Sequence, residues 1–188
     1  MTTWLGVDVG APRKGFDVAV VDERRLIALR GGLSCGGVVE LVDAHRPTLA
    51  GIDSPRSCAA PGETVRTCER EVARAVCAIR WTPERARLDG NPYYSWIVAG
   101  LELFSELQRR GVAAIEVFPT ASWTRWRGPR GGTSRARWSR AGLGALGLED
   151  VPTQTNQDQR DAIAAAVTAR EHTRGLTETF GGEIVVPI

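Results

Sequence analysis

Three apolar segments of this chain each carry one carboxylate near their end: Leu5-Gly6-Val7-Asp8, Leu49-Ala50-Gly51-Ile52-Asp53 and Ala113-Ala114-Ile115-Glu116. An acid inside an otherwise apolar strand loses its hydration, so its charge has to be met by an arginine or a metal ion. A fold is needed that gathers these strand ends. If the first, fourth and fifth strands run parallel, the three acids share the carboxyl-end edge, where open α/β sheets place their sites.

The apolar runs predict strands over 4–9, 16–21 and 25–30, separated by Gly10-Ala-Pro-Arg-Lys-Gly15 and Asp22-Glu-Arg24, spacings that suit a three-stranded antiparallel meander. A helical pattern over 38–44 ends before Pro47 and leads to a strand over 48–53, reached through a helix and therefore expected parallel to an earlier strand. Pro55 and Pro61 make 54–62 a loop; helices follow over 64–76 and 93–110, the second with Trp96, Ala99, Leu103 and Leu107 at helical spacing and Gly111 as its stop. A strand over 112–118, a last helix opened by Asn156-Gln157-Asp158-Gln159 and rich in alanine, and an edge strand over 183–187 complete the order.

The expected architecture is a ribonuclease H-like three-layer α/β fold. Its mixed five-stranded sheet has order 3-2-1-4-5, with helices on both faces. The 188 residues, 43% hydrophobic and 24% charged, suit a single domain over 1–188, with a helical and loop insertion over about 54–111 and an Arg/Trp-rich segment over about 119–148. No apolar run reaches the length of a membrane span, and the first residues lack a basic region followed by an apolar one; no membrane association and a cytoplasmic location are expected. Cys35, Cys58, Cys68 and Cys77 form no C-x-x-C pair and stand at no ligand spacing from His45 or His172, so reduced thiols are expected rather than a zinc site.

Asp158 and Asp161, at i and i+3, add two acids to one face of the last helix near its start. Docked beside the first strand, that turn brings Asp161, and with it Asp158, toward Asp8 and Asp53. Oxygen ligands without cysteine or histidine favour Mg²⁺ or Mn²⁺, and two such ions about 4 Å apart can clamp the attacking water and leaving oxygen of a phosphodiester. Asp8, Asp53, Asp161, Asp158 and Glu116 are thus the candidate catalytic residues, and Asp8, Asp53 and Asp161 the candidate metal ligands. Plainer explanations exist for several: Asp53 as a turn residue before Ser54-Pro55, Asp158 as a helix-dipole partner, Glu116 as the partner of Arg70 or another arginine.

The net charge of +2, from 24 basic and 22 acidic residues, conceals a local excess. Between Phe118 and Leu148 there are six arginines, 125, 127, 130, 135, 137 and 140, and no acid, with Trp123, Trp126 and Trp138 among them. Arginine with interleaved aromatics suits phosphate contact and base stacking, which makes Arg125, Trp126, Arg127, Arg135 and Arg137, together with the chain's only lysine, Lys14, the expected nucleic-acid contacts. The plainer explanation is a surface segment whose tryptophans cap the core while its arginines reach solvent.

Gly6-Val7-Asp8-Val9-Gly10, Gly51-Ile52-Asp53-Ser54-Pro55, Cys68-Glu69-Arg70-Glu71, Glu116-Val117-Phe118-Pro119, Asp161-Ala162-Ile163-Ala164-Ala165-Ala166 and the terminal Ile184-Val185-Val186-Pro187 resemble the successive blocks of the domain of unknown function 429 family. That family is described as predicted nucleases of ribonuclease H-like fold. The resemblance implies a metal-dependent nuclease acting on DNA or RNA, with Asp8, Asp53 and Asp161 as ligands and Asp158 as an additional helix acid. In the first crossover helix Glu40 is the only acid that could match the glutamate of ribonucleases H proper, which favours a resolvase-like arrangement. Two alternatives stand beside it: a non-catalytic nucleic-acid-binding or scaffold protein on the same fold, and, as a minor one, an actin-like phosphotransferase sharing the Asp8-x-Gly10 turn. The chain contains neither a P-loop nor a G-x-S-x-G motif.

Overall fold

The computed structural model describes residues 1–188. Strands β1 (Trp4–Val9), β2 (Phe16–Val21) and β3 (Leu26–Leu33) form the meander, α1 (Cys35–His45) crosses over, and β4 (Leu49–Asp53) returns beside β1. Helices α2 (Thr67–Ala75) and α3 (Ser95–Arg109) precede β5 (Ala114–Val117). Helices α4 (Pro119–Arg127), α5 (Arg135–Ala145) and α6 (Gln157–Thr173) then lead to β6 (Thr177–Phe180) and β7 (Ile184–Pro187). No helix is long and apolar enough to cross a membrane.

The sheet has seven strands in the order β3-β2-β1-β4-β5-β7-β6, which extends the expected five-stranded order. The C-terminal strand is not an edge: β7 runs parallel to β5, and β6 pairs antiparallel with β7 on its outer side. The short, polar Thr177-Glu-Thr-Phe180 carries no clear strand pattern of its own. Its hairpin depends on the Gly181-Gly182 turn, whose positive φ angles of 53° and 73° favour glycine.

Alternation along the strands sorts the core into two layers. Leu5, Val7 and Val9 of β1 and Val18 and Val20 of β2 pack with Ile52, Val38 and Val42 of α1, and Leu103 and Leu107 of α3 on one face. Trp4, Ala19, Val21 and Leu49 pack against α6 on the other. Gly6 and Gly51 allow α6 to lie directly on the sheet. A Cβ at Gly6 would come within 2.1 Å of Ala162 O, and one at Gly51 within 2.4 Å of Ala165 O. The helix start is held against the strands that carry the acids.

The Arg/Trp-rich segment is helical, and its tryptophans turn inward. Trp123 and Trp138 are buried against α6, and Trp126 is half-buried with its ring centroid 5.4 Å from that of Trp123 in an edge-to-face contact. Helical spacing across α4 and α5 directs these rings to one stripe. Trp126 is therefore part of the core margin, with only part of its ring left exposed.

Candidate active site

The face on which each acid emerges follows from register. Asp8 pairs with Asp17 across the antiparallel β1–β2 ladder and with Asp53 across the parallel β1–β4 ladder. Directly paired residues point to the same side, so all three emerge toward α6. Glu116 pairs with Ile52, one step out of phase with Asp53. Its side chain starts on the opposite face.

Helix α6 supplies the other acids. Asn156 caps it, accepting from Gln159 N at 2.8 Å, while the Gln159 side chain accepts from Asn156 N at 3.0 Å. This capping box sets Asp158 and Asp161 in the first turns, above the strand ends. Asp158 Oδ2 meets Lys14 Nζ at 2.7 Å, an ion pair from the β1–β2 turn. Asp161 is buried and its oxygens already accept hydrogen bonds: Oδ1 from Trp123 Nε1 at 2.8 Å, Oδ2 from Arg135 at 2.8 Å, and both from Gln157 Nε2 at 3.0 Å.

The site stores electrostatic repulsion. Burial first, then the charges of Asp161 and Asp158, raise the Asp8 carboxyl to about 7, with Lys14 opposing. Asp53, within hydrogen-bonding reach of Asp8, is held well above the usual carboxylate range by burial and by Asp8 and Asp161. Asp161 is raised by burial despite Arg135, and Asp17 by burial and Asp158. For Lys14, burial lowers the ammonium, but its bond to Asp158 prevails and the net shift is upward.

Five carboxylates, of Asp8, Asp17, Asp53, Asp158 and Asp161, thus face two cations, Lys14 and Arg135. With all ionised, three negative charges are left without a counter-charge. A hard divalent cation fits this all-oxygen donor set. One oxygen each of Asp8, Asp17 and Asp158 already lie within 4.8 Å of one another. This converging trio differs from the expected Asp8, Asp53 and Asp161. Asp53 stands beside Asp8, but the Asp161 oxygens are engaged by nitrogen donors.

Asp17 was not among the candidates the sequence suggested, although a signal existed. The turn Gly10–Gly15 pairs Val9 with Phe16, which places Asp17 opposite Asp8. Glu116 belongs to a different cluster. Arg66 Nη1 donates to its Oε2 at 2.8 Å and Arg56 N donates to the same oxygen at 2.8 Å. Arg66 also pairs with Glu69 at 3.0 Å and Glu183 at 3.4 Å. The arginine that meets Glu116 is thus Arg66, which immediately precedes α2, rather than Arg70, which pairs with Glu63. Burial raises Glu116 even so.

Both clusters border one cavity of about 630 Å³ at the carboxyl edge of the parallel strands, with Asp8, Asp53 and Asp161 on one wall and Arg66 and Glu116 on another. Among the expected nucleic-acid contacts, Lys14 and Arg135 are at this cavity but bound to Asp158 and Asp161. Arg125 is paired with Glu178, whereas Arg127 and Arg137 are exposed to solvent.

Comparison with solved structures agrees with this architecture. The chain is similar to RuvC of T. thermophilus in complex with Holliday junction substrate, at 16% identity and a TM-score of 0.57, covering 100% of both chains. A second match, the Thermus thermophilus RuvC structure, has 14% identity and a TM-score of 0.53 and covers 93% of this chain and 96% of that one. At such identity the likeness establishes the fold, which is ribonuclease H-like. No curated protein matches the chain in sequence. The family described as Protein of unknown function (DUF429) matches residues 6–184, nearly the whole chain, and the protein belongs to that family.

Proposed function

We propose that this protein is a metal-dependent nuclease that hydrolyses nucleic-acid phosphodiester bonds at the carboxyl edge of its sheet. The observation that carries the proposal is the concentration of Asp8, Asp17, Asp53, Asp158 and Asp161 on the α6 face, with Asp8 raised to about 7 by burial and its acidic neighbours. Such a cluster is unfavourable for stability alone, and perturbed groups of this kind mark functional sites. The ribonuclease H-like fold, and a RuvC neighbour solved with a Holliday junction substrate, support nucleic acid as the partner.

Asp8, Asp17 and Asp158, with Asp53 and Asp161 adjoining, are the residues that would hold Mg²⁺ or Mn²⁺. Bound there, the ion supplies charge compensation and Lewis-acid polarisation of the phosphoryl group. Lys14 holds Asp158 in place from the β1–β2 turn. Arg135 reaches Asp161 from α5 with its side chain half exposed, and it can exchange that carboxylate for a substrate phosphate. Arg127 and Arg137 extend a positive surface along α4 and α5 for the flanking backbone.

The second reading, a non-catalytic nucleic-acid-binding protein, is favoured by the engagement of Asp161 with Trp123, Gln157 and Arg135. Metal separates the two. Cleavage of single-stranded, duplex, hybrid and Holliday-junction substrates in Mn²⁺ or Mg²⁺, abolished by Asp8→Asn, is expected of the nuclease. Binding to those substrates with no cleavage and no response of the thermal midpoint to either ion is expected of the binding protein.

A further inference from the structure

The cavity is lined not only by the acids but also by Arg80, from the segment between α2 and α3, and by Trp96, from α3 itself. Arg80 is exposed and takes part in no salt bridge, whereas its neighbours Arg85 and Arg87 pair with Asp89 at 3.3 Å and Glu84 at 3.7 Å. Trp81, beside it, is 57% exposed; of the six tryptophans it alone lies open, since Trp4, Trp123 and Trp138 are buried and Trp96 and Trp126 half-buried.

An exposed tryptophan on a loose loop would carry little meaning, but this strap is fixed from below. Glu69, fully buried in α2, accepts from Thr82 N at 3.0 and 3.1 Å and from the Thr82 hydroxyl, and is itself held by Arg66. A buried ion cluster thus fixes the residue next to Trp81. Trp96 is placed with similar firmness. It stands in the first turn of α3, whose Gly100 packs on Ser54 so closely that a Cβ there would meet Ser54 Oγ at 1.9 Å. Ser54 directly follows Asp53, so the aromatic wall and the acidic wall are set by adjoining residues.

We propose that Arg80 and Trp96 in the cavity, extended by Trp81 on the exposed strap beside it, form a subsite for an unpaired nucleotide next to the phosphate at the acidic edge, so that the protein takes single-stranded or locally unpaired nucleic acid in preference to a continuous duplex. The inference rests on the nucleic-acid reading of the same cavity and adds its substrate class. The rings offer flat apolar faces for bases, which in a duplex are already stacked on their neighbours. Arg80 offers an unpaired guanidinium for the adjoining phosphate or for stacking. The volume of about 630 Å³ lies in the range of small-molecule sites and is large enough for one or two nucleotides.

The test uses the Asp8→Asn protein and fluorescence anisotropy with three labelled probes of equal length, about 12 nucleotides. These are a thymidine single strand, the same strand with abasic sites at its centre, and a duplex. The single strand is expected to bind about fivefold or more tighter than the other two. Arg80→Ala and Trp81→Ala should each remove about fivefold or more of that affinity, with Trp81→Phe retaining it. Equal binding of the three probes, or single-strand affinity unchanged in both alanine variants, overturns the subsite. Cleavage by the wild-type protein in Mn²⁺ is scored separately. Normal cleavage with no dependence on Trp81, Arg80 or the bases overturns the subsite and leaves the nuclease standing. The full binding pattern without any cleavage supports the subsite and overturns the nuclease.

Discussion

Asp17 stands directly opposite Asp8 across the β1–β2 ladder, and one oxygen of each lies within 4.8 Å of the other. The pair is a liability in the absence of a cation and, on the proposed function, would be a chelating edge in its presence. Asp17→Asn is therefore expected to have opposite effects in the two conditions. In chelator it raises the thermal midpoint by about 2–4 °C, the equivalent of about 1 kcal/mol for a chain of this size. In Mn²⁺ it should remove most of the increase in midpoint that the ion is expected to give the wild type. Paired melting curves with chelator and with Mn²⁺ check this.

The raised Asp8 carboxyl also sets a pH dependence. In the unfolded chain this group ionises in the usual carboxylate range, and in the fold at about 7. Below the usual range both states hold the proton and no penalty exists. As pH rises toward about 7 the unfolded state has already released its proton while the fold retains it, so the fold loses stability until its own carboxyl ionises. The metal-free protein should melt at a lower temperature at pH 8 than at pH 5, the difference should shrink in Asp8→Asn, and Mn²⁺ should reverse it. A midpoint that in chelator rises steadily from pH 5 to 8 would contradict the assignment.

Glu116 is expected to behave as a structural acid. Arg66→Met leaves Glu69 and Glu116 buried without their cation and should cost about 3–5 kcal/mol in chemical denaturation. Glu116→Gln keeps most of the hydrogen-bonding shape and should cost less. Neither substitution should change the affinity for Mn²⁺ by more than about twofold if the protein remains folded, because Glu116 leaves β5 on the face opposite Asp53. Isothermal titration with Mn²⁺ measures this directly.

The arginine segment separates into paired and free members. Arg127→Ala combined with Arg137→Ala should reduce the salt slope of nucleic-acid binding by about 2, one for each phosphate left without its guanidinium. Arg125→Ala should change it less, because that guanidinium is paired with Glu178. Affinities measured across a salt series distinguish the two outcomes.

Much of this arrangement is legible in the chain itself. The meander, the crossover to β4 and the long alanine-rich α6 follow from local patterning, and the order of elements identifies the ribonuclease H-like fold. The pairing of β6 with β7 does not, because a four-residue polar strand owes its existence to a neighbour and a glycine turn. The same limit applies to the site. Asp8, Asp53 and Glu116 look equivalent as acids closing apolar strands, yet a single step of register sends Glu116 to the other face and to Arg66. Asp17 hides in an apolar strand and becomes visible only when the hairpin register is counted. Trp123 and Trp138 share a segment with arginines and still pack inward, since composition does not report which stripe of a helix a residue occupies.

Whether the aspartates on the α6 face form one metal site is tested most directly by crystals soaked in Mn²⁺ and measured for anomalous scattering. The expected result is a peak in contact with Asp8 and at least two of Asp17, Asp53, Asp158 and Asp161. A saturated soak with no peak at Asp8, and with Lys14 still on Asp158 and Arg135 still on Asp161, would contradict it.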